Sequence, residues 1–192
     1  MKVADKKVYS DFEVKDSAIR FEADEKAERL GCVGTMEEAM DVRTITKKCE
    51  GIEETVSVTP TGTGELTLSL HMRWDLYVKA MGMDFEELKS GIYAYGQNSR
   101  HKEFCLTNTV VDEYGRKKYK AYPRSIISEG KAMKIENGGE EVAQIDLKIK
   151  IMPDERGNGT YEALEEKIGE DKTILNEWIE KFNADSLFTP TA

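Results

Sequence analysis

The sequence predicts a mainly β (α+β) fold, in which two packed antiparallel sheets form a sandwich or half-barrel, flanked by a short helix and followed by a C-terminal helical tail. Strict alternation of apolar and polar residues between Glu65 and Trp74 indicates a strand with one buried face. Short turns, rather than helices, separate most of the predicted strands, and this favours antiparallel pairing. Apolar residues at helical spacing after Pro153 predict the tail.

The clearest strand lies in the middle of the chain, after a Gly-Thr-Gly run. Its two faces are Leu66, Leu68, Leu70, Met72 and Trp74 on the apolar side and Glu65, Thr67, Ser69, His71 and Arg73 on the polar side. A helical segment is expected over residues 75–90, because Asp75 suits an N-cap and Gly82 suits the left-handed residue that ends a helix. Asp84 then suits the N-cap of a second short helix that Gly91 would end.

Three segments are expected along the chain. Residues 1–30 form an N-terminal arm or edge strand, residues 31–152 form the β domain, and residues 153–192 form a loop with a helical extension. Within the β domain, residues 42–59 are predicted to be a projecting hairpin, because its first strand is largely polar on both faces. Such a hairpin stays ordered only if something else pairs with it. Pro60 and the TGTG run after it are expected to turn the chain into the central strand.

Four further strands complete the predicted sheets. They are Phe104–Val111, Lys118–Tyr122, Ala132–Ile135 and Val142–Met152. Gly115 in the first connection and Gly138 in the second are typical of hairpin turns, and Pro123 indicates an edge or a bulge. The last strand alternates, with Ile145, Leu147, Ile149 and Ile151 expected inside and Asp146, Lys148 and Lys150 outside. The tail pattern predicts helix over residues 160–183.

Charge is distributed unevenly along the chain. The tail from Pro153 onward has ten acids and four bases, whereas residues 98–134 have nine Lys or Arg and four acids. Either these segments are two hydrated faces that never meet, or the basic segment of one copy meets the acidic segment of the next. The second arrangement is a heterologous contact, which closes into a ring or continues as a filament. The candidate subunit-interface residues are Lys47, Lys48, Glu50, Glu53, Glu54, Arg116, Lys117 and Lys118.

Composition excludes several classes of function. The formal net charge of −9 argues against nucleic acid as the main partner, because phosphate binding needs a positive field. No apolar run approaches the roughly eighteen residues of a membrane span, and the start of the sequence does not resemble a secretory signal. The odd number of cysteines, Cys32, Cys49 and Cys105, predicts free thiols in a reducing cytoplasm.

No catalytic constellation is evident. His101 and Cys105 are the only His–Cys pair close in sequence, and an extended chain would separate them by roughly 13 Å. His71 has no partner at metal-ligand spacing, and the glycines match neither a Walker motif nor a dinucleotide fingerprint. We therefore expect a protein that is not an enzyme and has no catalytic, metal or cofactor site.

The run GTGELTLSLHMRWDLYVKAMGM resembles the strand-to-helix signature of major tail (tail tube) proteins of long-tailed phages and prophages. Later runs resemble the same family in the same order, so that the resemblance covers about residues 20–165: AYGQNSRHKEFCLTNTVVDEYG, KAYPRSII, KIENGGEEVAQIDLKIKIMPDERGNG and YEAL. The chain departs from the family pattern at Arg73-Trp74 and in its longer, more acidic C-terminal helix.

The resemblance implies a structural subunit that self-assembles into hexameric rings, which stack into a hollow conduit for DNA. It implies as partners other copies of the chain and the terminator, tape measure and distal tail proteins, with DNA only transiently in the lumen and no membrane. The location it implies is the virion tail, assembled in the host bacterial cytoplasm. The polar strand faces would then suit the lumen, with candidates Glu65, Thr67, Ser69, Asp146, Lys148 and Lys150. The alternative is a binding module of the tail tip or baseplate with the same β-sandwich fold.

Overall fold

The computed structural model describes residues 8–138, 142–168 and 172–189, apart from the side chains of residues 49 and 53–55. The mainly β class is confirmed, and every strand pairing in these residues is antiparallel. The strands are β1 (Asp11–Phe21), β2 (Glu28–Arg29), β3 (Gly31–Cys49), β4 (Ile52–Met72), β5 (Phe104–Asp112), β6 (Lys117–Ile127), β7 (Ile145–Met152) and β8 (Tyr161–Leu164). The helices are α1 (Trp74–Ala80), α2 (Thr173–Lys181) and a 3₁₀ turn (Ala184–Leu187).

The described strands form one hydrogen-bonded sheet, in the order β2-β1-β5-β6-β7-β4-β3, with β8 beside β6. This sheet curls until its two margins approach each other. On β3, Glu38 accepts a hydrogen bond from the Tyr122 hydroxyl of β6 at 2.9 Å and pairs with Lys120. The Leu30 amide, just before β3, donates to the carbonyl of Ser17 on β1 at 2.9 Å. The architecture is therefore a half-barrel rather than two separate sheets.

Two apolar clusters hold the half-barrel together. The first fills its interior and includes α1, and its largest buried members are Ile19, Leu30, Leu66, Leu68, Leu70, Leu76, Tyr77, Met81, Leu106, Tyr122, Ile149 and Ile151. The second lies outside, where Leu175 and Trp178 of α2, with Phe182 directly after the helix, pack on Cys105 and Ala121. Because β5 lies between these clusters, almost all of its residues are buried on both faces of the sheet.

The helix after β4 differs from the prediction at both ends. It begins at Trp74, one residue early, and its N-cap residue Arg73 makes no side-chain capping bond. The Asp75 carboxylate instead accepts from the Arg73 guanidinium, at 3.1 Å from Nε. Gly82 does follow the helix with φ +59°, as predicted. Residues 84–90, predicted to be helical, form turns and loop instead, so the helix is shorter than predicted.

The hairpin of β3 and β4 is longer than the sequence indicates. Its loop has two residues, Glu50 and Gly51, with φ +51° and +82°, which is the conformation that matches the twist of paired strands. Residues 60–64 do not turn the chain, because they continue β4 through a bulge in which Pro60 pairs with Val42 and Gly64 with Met40. The prediction of a turn at this point was wrong, and the glycines instead allow the backbone conformation of the bulge.

The structure differs from the prediction at residues 132–135 and in the tail, and agrees with it at Pro123. Residues 132–135 are irregular and not a strand, because β7 pairs with β4 and β6 instead. Part of the predicted connection, residues 139–141, lies outside the described residues. Residues 161–164 of the predicted tail helix are the strand β8 on β6, and helix begins only at Thr173. Phe104 pairs with Ser125 and Leu106 pairs with Tyr122, so that β6 has one more residue than β5 between these two pairs. This extra residue confirms the bulge predicted at Pro123.

The antiparallel register gives the half-barrel two distinct ends. Strand β4 enters the barrel at Gly64 and leaves it at Met72, where α1 follows. The hairpin end carries residues 42–60 and the β5–β6 turn. The opposite end carries α1 and the loop of residues 81–103, whose His101 Nδ1 lies 2.7 Å from the Ile127 carbonyl oxygen of β6.

Candidate functional site

The six candidate lumen residues lie together on one outer face of the half-barrel, here called the charged face. They form three directly opposed pairs between β4 and β7: Glu65 with Lys150, Thr67 with Lys148, and Ser69 with Asp146. All six are exposed or partly exposed. Whether this face lines a lumen remains a prediction, but the register brings two separate stretches of sequence into a single surface.

Hydrogen bonds order the charged face. Ser69 Oγ donates to Asp146 at 2.5 Å, and Lys148 Nζ donates to Glu129 at 2.6 Å. The bond to Glu129 raises the pKa of the Lys148 ammonium. Lys150 Nζ lies 3.2 Å from a carboxylate oxygen of Asp41.

The charged face and its immediate neighbours are net negative. The face has two cations, Lys148 and Lys150, and two carboxylates, Glu65 and Asp146. The neighbouring Glu37, Asp41 and Glu129 add three carboxylates, so that the charge of the whole region is 2 − 5 = −3 at neutral pH. Buried side chains on the opposite face of the same strands anchor the charged face to the core. The alternate residues of the same strands are buried, among them Leu66, Leu68, Leu70, Leu147, Ile149 and Ile151.

The projecting hairpin, residues 42–59, is exposed along both of its faces wherever its side chains are described. On one face Val42 opposes Pro60, Thr44 opposes Val58, and Thr46 opposes Val56. The apolar stripe formed by Val42, Val56, Val58 and Pro60 was missed from the sequence. The first strand contributes only Val42 to this face, and the cross-strand register shows that Val56, Val58 and Pro60 of the second strand complete the stripe.

The candidate interface residues of the hairpin lie close to its tip. Glu50 is part of the two-residue loop. The backbone of Lys48 pairs with that of Glu53, next to the pair of residues 49 and 52 that closes the loop. Lys47 pairs with Thr55, so that Glu54 is the extra residue of a bulge. Their role in an interface remains a prediction.

The three basic candidates of the β5–β6 turn differ in accessibility. Arg116 is bound to the fully buried Asp112 carboxylate, at 2.6 Å, and its side chain is largely covered. Lys118 Nζ donates to Asp11 at 2.6 Å and is also largely covered, whereas Lys117 is exposed. Two of the three cations are thus bound to acids of their own chain, and an intersubunit role for the group stays a prediction.

The basic segment and the acidic tail also meet within the chain. Lys120 Nζ lies 2.8 Å from Glu162 on β8 and pairs with Glu38 on β3. Burial opposes the charge of Lys120, but the bonds to Glu162 and Glu38 outweigh it and raise the pKa of the ammonium. Burial and the nearby Glu38 raise the pKa of Tyr122 as well. This network joins three strands at the point where the sheet closes.

The histidine and the cysteine considered as a catalytic pair from the sequence are both held in structural surroundings. His101 uses both ring nitrogens in contacts, to the Ile127 carbonyl and, at 3.1 Å, to the Tyr95 hydroxyl. Burial raises the pKa of the Cys105 thiol to about 12, so that this thiol is inert at neutral pH. Within residues 8–138, 142–168 and 172–189, no three His, Cys, Asp or Glu side chains cluster as metal ligands would. None of the helices there is long and apolar enough to cross a membrane.

Comparison with known proteins gives little further identification. No protein-family model and no curated protein matches this sequence. Among solved structures, the chain is similar to one described as the anti-feeding prophage cap, the cap that terminates the AFP tube. That similarity spans 85% of this chain and 99% of the other, with 8% sequence identity and a TM-score of 0.42. Such a similarity establishes neither a family nor a function.

Proposed function

We propose that this chain is the structural subunit of a phage tail tube, self-assembling into hexameric rings that stack into a hollow conduit for DNA passage from virion to host. The observation that carries the proposal is the projecting hairpin. Its two strands leave the barrel at the bulge around Asp41, and the described side chains beyond that point are exposed on both faces. Because an isolated two-stranded hairpin is marginally stable in water, a surface on another copy would stabilise it.

The free margin of the sheet supports lateral association. Strand β3 ends the sheet order, so its outer edge has no strand partner among the described residues. An unpaired edge is a template for pairing with another chain unless it is covered or closed into a barrel. A ring of six copies would cover each such edge with the next subunit.

The charged face supports the conduit role. It is hydrated, anchored by buried leucines and isoleucines, and net negative with its neighbours. A strongly cationic wall would bind phosphates and hold the DNA, whereas a face that is net negative would let DNA pass. Terminator, tape measure and distal tail proteins would be the further partners, in the virion tail after assembly in the host cytoplasm.

Shortening the hairpin tests the proposal. Replacing residues 43–59 by Asn-Gly would join the paired residues Val42 and Pro60 through a two-residue turn and would remove Val56 and Val58. We expect this variant to remain a folded monomer by circular dichroism and sedimentation velocity, and to form no tubes in electron micrographs. The matched control replaces only Glu50-Gly51 by Asn-Gly, which keeps the full length, and it should assemble like the wild type.

Two results would contradict the proposal. Normal tubes from the shortened variant would show that the hairpin has no role in assembly. A wild-type chain that remained a monodisperse monomer under all solution conditions would contradict the tube itself, and would favour the alternative of a tail-tip or baseplate binding module.

A further inference from the structure

A second exposed apolar surface lies at the end of the half-barrel opposite the hairpin. This aromatic patch consists of Trp74, Ile92, Tyr93 and Tyr95, each more than two-fifths exposed. Trp74 and Tyr93 meet edge to face with ring centroids 5.9 Å apart, and Lys131 Nζ lies 5.9 Å from the Trp74 ring centroid. Large exposed aromatic residues are the type that contributes most to protein interfaces.

Contacts with the rest of the fold order the aromatic patch, which combines Trp74 at the start of α1 with three residues of the following loop. The Trp74 ring packs on the buried Tyr77 at 5.6 Å, and the Tyr95 hydroxyl lies 3.1 Å from Nε2 of His101, whose other nitrogen contacts β6. The Ala94 amide donates to the Met83 carbonyl at 3.2 Å. A surface ordered in this way loses little conformational entropy when a partner binds.

The strand register separates the aromatic patch from the apolar stripe. Strand β4 runs from Gly64, at the base of the hairpin, to Met72, next to Trp74, which is a distance of roughly 26 Å. The hairpin extends from the other end by roughly a further 30 Å. The stripe of one copy therefore lies far from its own patch, and the two surfaces can meet only between different copies, as they do in copies arranged head to tail.

We propose that the apolar stripe of one copy docks on the aromatic patch of the copy in the adjacent ring. This inference rests on the proposed function and identifies the partner surface of the hairpin. The contact joins two different surfaces, so it is heterologous and continues from ring to ring without closing on itself. Val56 and Val58 supply aliphatic side chains, and Trp74 and Tyr93 supply the flat rings that cover them.

The size of the contact explains why single copies would stay apart. The stripe occupies part of one face of the hairpin, and even the whole face, roughly 30 Å long and 10 Å wide, offers only roughly 300 Å², well below the roughly 800 Å² per partner of a stable interface. A single contact is therefore weak. Six such contacts between two rings act together, because each holds the others at high effective concentration. Stacking thus follows ring formation rather than preceding it.

Cross-linking between two marked chains tests this contact. The background replaces Cys32 and Cys49 by Ser and keeps the inert, buried Cys105. One chain carries Val58→Cys and the other carries Tyr93→Cys, and the mixture is assembled and treated with a short bismaleimide. The control partner carries Tyr114→Cys, an exposed tyrosine on the β5–β6 turn at the hairpin end. Docking should make the yield of the 58–93 product at least tenfold greater than that of the 58–114 product, on the order of the gain from held proximity.

The outcomes separate the inference from the function on which it rests. Assembly with a dominant 58–93 product supports both. Assembly with equal yields, with 58–114 in excess, or with neither product overturns the docking site and leaves the tube intact. Chains that never assemble, even as wild type, overturn the tube and the inference together.

Loss of two exposed apolar side chains of the patch gives an independent measurement. The double variant Ile92→Ser/Tyr93→Ser should raise the critical concentration for tube formation roughly tenfold or more, because interface aromatics carry much of the binding energy. Tyr114→Ser should leave the critical concentration unchanged. Equal critical concentrations for both variants and the wild type would overturn the docking site.

Discussion

The two halves of β4 contrast within one continuous strand. In the half inside the barrel, Leu68 is 1% exposed, whereas in the half within the hairpin Val56 and Val58 are 53% and 56% exposed. Both halves alternate in sequence and both pair with β3. Only the inner half has β7 on its other side and an apolar cluster beneath it.

Alternation of apolar and polar residues therefore predicts a strand with two different faces, but it does not predict which segments cover each face. Burial of Leu66, Leu68 and Leu70 depends on chain segments that are distant in sequence, such as α1, β5 and β7. The hairpin valines lack such segments within the described chain. In the proposed tube, another copy covers them.

The largest expected effect tests this contrast directly. Leu68→Ala should lower the free energy of unfolding by about 3 kcal/mol, because it removes buried methyl groups and leaves a cavity. Val58→Ala in the hairpin half should change it by less than about 0.5 kcal/mol in the monomer. Urea denaturation followed by fluorescence measures both. Equal losses would mean that the hairpin is packed within its own chain.

A smaller effect is expected at the site where β3 still lies against the barrel. Lys120→Met should cost about 2–3 kcal/mol, because it leaves the Glu38 carboxylate without its buried cation. The control Lys15→Met, which breaks the half-exposed pair with Glu13, should cost at most about 0.5 kcal/mol. Adding Glu38→Gln to Lys120→Met should recover part of the loss. A Lys120→Met variant as stable as the control would mean that the network does not hold β3 against β6.

The smallest effect is expected at the boundary between the two halves. Hydrogen bonds from Thr63, at 2.8 Å, and from Lys150 hold the pKa of the Asp41 carboxyl below its ordinary value. The ionised carboxylate therefore contributes stability above about pH 4, and the contribution is lost as the pH falls through the lowered pKa. Titration by carboxyl carbon NMR should show the lowered value. Thr63→Val and Lys150→Met should each move it back upward, and an unchanged value in both variants would contradict the assigned bonds.

Some features followed from local physics and were predictable. The alternation of Leu66 and Leu68 with Glu65 and Thr67 separates a buried from a hydrated face in the structure as it does in the sequence. Gly82 ends α1 in the left-handed conformation that few other residues adopt. Each of these depends on neighbours within a few positions along the chain.

Other features depended on partners that the local pattern does not reveal. Residues 161–164 are compatible with helix, but β6 offers them a sheet edge, and they become β8. Trp74 continues the apolar alternation, yet the helix starts there and its ring is 43% exposed. Residues 132–135 precede the turn signal at Gly138, but β6 rather than this segment takes the position beside β7.

The candidate surfaces divide in the same way. The sequence by itself determined which residues of β4 and β7 are polar and which are buried, because side chains alternate across any strand. Only the tertiary structure placed Glu65 opposite Lys150, Val56 opposite Thr46, and the aromatic patch at the end far from the hairpin. The physical reason is that register and packing arise from contacts between distant parts of the chain, whereas periodicity is a property of each strand alone.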